Sequence, residues 1–104
     1  MTELKGTDNK PARRALNIIR ALKGFSLTGL SNSQLAERLN ESQVNISRAL
    51  AVLLDEGFVI RLAEDRFALS IQVLQIATAH ANECNLAIEK VEQLNQRIAA
   101  GALN

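Results

Sequence analysis

The hydrophobic period of this chain changes twice, and those two changes restrict its fold more than any other feature. Up to Gly57 the apolar residues recur every three or four positions, as on the buried face of a helix. From Phe58 to Leu69 they alternate, as in half-buried strands. Beyond Ser70 the three-and-four spacing returns, with no Gly or Pro between Ile71 and Ala100. Helices, then a hairpin, then one long helix is the order this imposes.

The first helical stretch divides into three. Residues 1–10 are polar, hold Gly6 and show no period, so they read as a flexible arm. Pro11 suits a first helical turn, where a missing N–H costs nothing. Ala15, Leu16, Ile18, Ile19 and Leu22 then mark one face, and Gly24 stands where that helix should stop. The second start is sharper. Ser31 and Gln34 make a capping box, with Leu30 and Leu35 placed as its hydrophobic staple. This helix is short, running through Leu35, Ala36 and Leu39, and it breaks at Asn40-Glu41-Ser42. Ile46, Ala49, Leu50, Leu53 and Leu54 stripe a third helix that ends at Gly57. Its cap is either Asn40 with Gln43 or Ser42 alone. Two helices joined by so short a break form a helix-turn-helix.

After Gly57, Phe58, Ile60 and Leu62 alternate with Val59 and Arg61. Ala63-Glu64-Asp65 makes a turn, and Phe67 and Leu69 alternate with Arg66 and Ala68, Phe67 pointing inward beneath the third helix. A hairpin directly behind a helix-turn-helix is a wing. The expected fold is therefore mainly α: a winged helix-turn-helix of three helices and a β-hairpin over residues 11–70, followed by a long C-terminal helix over 71–104.

Ser70 can cap that last helix. Leu74, Ala77, Ala81, Cys84, Ile88, Val91, Asn95 and Ile98 fall at the alternating spacing of a coiled-coil seam. Such a seam needs a neighbouring chain or a fold-back onto the first helix. The expected dimerisation residues are Leu74, Ala81, Cys84, Ile88, Val91, Asn95 and Ile98, with Asn95 fixing register.

Composition narrows the function classes. Hydrophobic residues make up 47% of the 104, enough for a real core. No apolar run is long enough for a membrane span and no secretory signal opens the chain, so a cytoplasmic protein with no membrane partner is expected. One cysteine excludes an internal disulfide. His80 and Cys84 are four apart, but two ligands do not make a metal site, so neither metal nor cofactor is expected. Paired carboxylates, a nucleophile elbow and a phosphate-binding glycine loop are all missing, which argues against an enzyme. Net charge is +1. Residues 1–70 hold ten basic against eight acidic side chains, and 71–104 two against three.

Arg14-Ala15-Leu16-Asn17-Ile18-Ile19-Arg20-Ala21-Leu22 resembles the opening helix of the DNA-binding domain of the isocitrate-lyase-regulator (IclR) family. The resemblance continues through Gln34-Leu35-Ala36-Glu37-Arg38-Leu39, Ile46-Ser47-Arg48-Ala49-Leu50 with Leu53, and Gly57-Phe58-Val59, and ends near Phe67-Ala68-Leu69. It covers roughly residues 13–74 and implies a bacterial transcription regulator. In that family a larger effector-binding domain follows the winged helix, whereas this sequence stops after one long helix, so no small-molecule effector is expected. Glu41 also departs from the pattern, standing in the turn where an apolar residue is usual.

The third helix should expose Gln43, Val44, Asn45, Ser47 and Arg48. Gln and Asn pair with adenine, Arg with guanine or phosphate, and Val touches a thymine methyl. Ser33, Arg13, Arg14, Arg61 and Arg66 complete the expected DNA contacts. Lys10, Arg13 and Arg14 crowd the start of the first helix against its dipole, so they are either phosphate contacts or a solvated charge run. Glu64 and Asp65 at the wing tip would be repelled by DNA. The expectation is a transcriptional regulator, a repressor by preference. It binds an approximately palindromic duplex site as a homodimer, in the manner of small regulators of phages and mobile elements. The alternative is a winged helix that binds a protein and no DNA.

Overall fold

The computed structural model describes residues 8–103, so most of the expected 1–10 arm lies outside the described residues. Helix α1 (Lys10–Ala21) starts one residue before Pro11, because the Asn9 side chain accepts the Ala12 N–H at 3.0 Å and caps it. Residue 10 is thus helical. The capping box forms as expected at α2 (Asn32–Leu39). Ser31 Oγ accepts the Gln34 N–H at 3.2 Å while Gln34 Oε1 accepts the Ser31 N–H at 2.9 Å. Its staple residues Leu30 and Leu35 are both buried.

Asn40 closes α2 in the left-handed region at φ 53°, where Asn is tolerated better than most residues. Helix α3 (Gln43–Asp55) is capped by Ser42, whose Oγ accepts the Asn45 N–H at 3.1 Å, which decides between the two caps. Its end is a Schellman arrangement: Phe58 N–H donates to Leu53 O at 2.9 Å and Gly57 N–H to Leu54 O at 3.1 Å, with Gly57 at φ 82°.

The wing is β2 (Val59–Leu62), one turn of 3-10 helix (Ala63–Asp65) and β3 (Arg66–Leu69). The sequence did not reveal a third strand, β1 (Leu30–Ser31), which pairs antiparallel with β3 and makes β3 central in the order β1-β3-β2. Gly29 leads into β1 at φ 69°, and a Cβ there would meet the Phe67 carbonyl oxygen at 2.8 Å, so only glycine fits. The expected alternation in β2 takes the opposite phase. Val59 is buried and Ile60 exposed, because Val59 joins the core cluster. In β3 the alternation fails: Phe67 and Ala68 are both buried.

Ile18 and Leu22 of α1, Leu35 of α2, Ile46 and Leu50 of α3, Val59 and Phe67 make one core. Each such side chain contributes about 1.5–3 kcal/mol by leaving water.

Helix α4 (Ile71–Ala102) follows Ser70, whose Oγ accepts the Gln72 N–H at 3.2 Å and donates to the Gly57 carbonyl. No residue of α4 is buried. No helix among the described residues is long and apolar enough to cross a membrane.

Candidate nucleic-acid interface

At 100° per residue, α3 presents Ile46, Ala49, Leu50 and Leu53 to the core, and these are its buried residues. The opposite face carries Val44, Arg48, Ala51 and Asp55, all exposed. Val44 is 60% accessible although apolar. Gln43, at the start of the helix, is exposed too.

The other two residues expected to read DNA lie on the flanks of α3 and already have partners. Ser47 Oγ accepts a hydrogen bond from Asn32 Nδ2 at 2.6 Å, and the same nitrogen donates to the Gln43 carbonyl at 3.2 Å. That amide ties the first turn of α2 to the first turn of α3. On the opposite flank, Asn45 Nδ2 donates to Glu41 Oε2 at 3.3 Å. The other Glu41 oxygen lies 3.1 Å from Arg14 Nε, an ion pair whose N–H is not aligned for a full hydrogen bond. Arg14 beside it holds the Glu41 carboxyl below its ordinary pKa of 4.5, against a smaller opposing effect of burial and with help from Asn45.

The helix is thus braced on both sides. Asn32 and Glu41 do the bracing, and sequence reasoning missed both. Asn32 meets Ser47 fifteen residues away and Glu41 meets Arg14 from α1, so those two ties have no local signal, whereas Glu41 and Asn45 are only four residues apart.

Ser33, the second residue of α2, is exposed, beside the positive end of that helix's dipole. Arg13 is exposed on α1, whereas the Arg14 side chain is only 14% accessible. In the wing, the Arg61 guanidinium lies over the Phe67 ring, 5.4 Å from its centre, with its chain on the exposed side. Arg66 is half-buried, opposite Ser31 and Leu62 in the two strand registers. Glu64 and Asp65 form the exposed tip at φ 61° and 53°.

On α4, Leu74, Ala81, Cys84, Ile88, Val91, Asn95 and Ile98 are all exposed. Cys84 Sγ lies 3.9 Å from His80 Nε2. Among the described residues no group of three or more His, Cys, Asp or Glu side chains converges.

No protein-family model matches the sequence, and no curated protein does either. Solved structures do. The Thermotoga maritima IclR is 25% identical with a TM-score of 0.55, over 62% of this chain and 26% of that one. Pseudomonas aeruginosa HmgR is 25% identical with a TM-score of 0.64, over 71% and 32%. An IclR family transcriptional regulator from Brucella abortus is 20% identical with a TM-score of 0.64, over 77% and 30%. The chain therefore spans about a quarter to a third of the length of these structures, in their N-terminal DNA-binding part. The resemblance to IclR-type winged helices read from the residues holds in three dimensions.

Proposed function

We propose that this chain is a DNA-binding transcriptional regulator that lays α3 in the major groove of duplex DNA. The observation that carries the reading is the outward face of α3: Val44 and Arg48 stand exposed on a capped helix whose flanks are braced by Asn32 and Glu41. A rigid helix loses little freedom when it docks, and Arg48 and Gln43 carry the donors and acceptors that base edges require. Ser33 and Arg13 take phosphates on either side, and Arg61 contacts the backbone from the wing strand. The acidic tip stays out of the minor groove.

The protein acts as a dimer through α4 and reads an approximately palindromic site, with half-sites about 34–36 Å apart. The exposed apolar stripe supports this: Leu74, Ile88 and Val91 are each more than half accessible in the single chain, an arrangement that persists in water when a partner covers it. By occupying a promoter such a dimer represses.

The second reading, a winged helix that binds a protein and no DNA, is favoured by the net charge of only +1. Titration of labelled duplex at 50 and 200 mM salt separates the two. DNA binding must weaken steeply as salt rises, by about 10³-fold or more if six or more phosphates are contacted. Absence of any salt-dependent binding would leave the protein-binding reading.

A further inference from the structure

The Arg14–Glu41–Asn45 cluster joins three segments at the edge of the proposed reading helix. Arg14 belongs to α1, Glu41 to the turn and Asn45 to the first turn of α3. Arg14, Asn45 and Arg48 line one groove of about 400 Å³ between the start of α1 and α3, floored by Ala15, Ala49 and Val52. Two arginines therefore line one groove, and one of them has a carboxylate 3.1 Å from its guanidinium.

Resting on the DNA-binding reading above, we propose that Glu41 is a specificity-determining residue. It holds Arg14 as an internal counter-ion and so withdraws one cation from sequence-independent phosphate binding next to Arg48. It acts by withholding and by positioning. The same carboxylate fixes Asn45 through Oε2, so the first turn of α3 meets DNA in one orientation. The physical reason such a device matters is general. Every cation available to phosphates strengthens binding to all sequences alike, whereas base contacts distinguish them. The lowered pKa of Glu41 means the counter-ion stays charged at neutral pH.

The test uses the full chain, a labelled random-sequence duplex and a duplex selected from a random pool by the wild-type protein, at 50, 100 and 200 mM salt. Glu41→Gln releases Arg14 while keeping an oxygen for Asn45. It should bind the random duplex more tightly, with a log–log salt slope steeper by about 0.9, the value of one added phosphate contact. Its advantage over wild type should then shrink about 3.5-fold between 50 and 200 mM salt. The preference for the selected duplex should fall. Combining Glu41→Gln with Arg14→Gln should abolish these changes, because the released cation is gone. Glu37→Gln, which removes the same charge from an exposed position on α2, should leave the slope within error of wild type. The inference is overturned by an unchanged slope in a folded Glu41→Gln protein, by an effect that survives in the double variant, or by an equal effect from Glu37→Gln. Wild-type protein that binds neither duplex would instead remove the DNA-binding reading itself.

Discussion

Between residue 8 and Gln72 the chain packs one set of apolar side chains into a core; from Leu74 to Leu103 the same kinds of side chain stand in the open. Ile18 and Ile46 are fully buried, and Ile88 is 56% accessible. Ile88 shares a heptad stripe with Val91 and Ile98. The two regions thus solve the same problem differently. The first completes its core within one chain. The second leaves its apolar stripe uncovered in the single chain.

The sharpest way to break that comparison is Ile88→Asp. If α4 is half of a shared seam, the carboxylate is buried without a partner, which costs several kcal/mol and should separate the subunits. Light scattering should report a monomer, and a palindromic duplex should be bound about 100-fold more weakly, because the second half-site is no longer linked to the first. A variant that stays dimeric would place the contact elsewhere.

Phe67→Ala strikes the closed region. Phe67 lies on the central strand and is 6% accessible, so its truncation should cost about 3–5 kcal/mol. For a domain of this size that lowers the melting temperature by more than about 10 °C. Circular dichroism would decide it; a loss of only a degree or two would mean that the wing adds little to the core.

Arg48→Ala tests the outward face of α3, where the proposed DNA contact lies. A guanidinium exposed on α3 adds nothing to the core, so stability should hold. DNA affinity should fall by about 1–3 kcal/mol, with relaxed sequence preference. Equal affinity would show that α3 is not the reader.

The two regions were also unequally legible. The start of α2 and the end of α3 were plain, because Ser31 with Gln34 and Gly57 act within a few residues of themselves, whereas the cap of α3 was open between two candidates until the structure gave it to Ser42. The phase of β2 was not, since Phe58, Val59 and Ile60 are all apolar and a period of two has no unique assignment there. Strand β1 has two residues and exists only because β3 offers an edge to pair with. Within the candidate site, the exposed face at Val44 and Arg48 followed from helical spacing. The tying of Ser47 to Asn32 and of Arg14 to Glu41 did not, because those partners meet only after the helices pack. For α4 the heptad spacing was plain in the sequence, and its residues are exposed in the single chain.

The smallest expected effect concerns acid and falls on the closed region alone. Glu41 has its folded-state pKa lowered below 4.5, chiefly by Arg14. A carboxylate that binds its proton less readily in the folded state stabilises that state when ionised. The stabilisation is therefore complete above the ordinary value and is lost as the pH drops from about 4.5 through the folded-state value. Wild type should melt slightly above Glu41→Gln near pH 7, and the gap should close as the pH is lowered below 4.5. The gap should stay small, because the Glu41 side chain is 29% accessible and solvent screens the pair. It should narrow further in high salt. If α4 self-associates as proposed, that association should not respond, since Glu41 lies outside the proposed seam: the dimer dissociation constants of wild type and Glu41→Gln should coincide at neutral pH. A melting gap that widens in acid would show that the charged carboxylate opposes the fold. A change in dimerisation would show that the two regions are coupled and that the contrast between them is too simple.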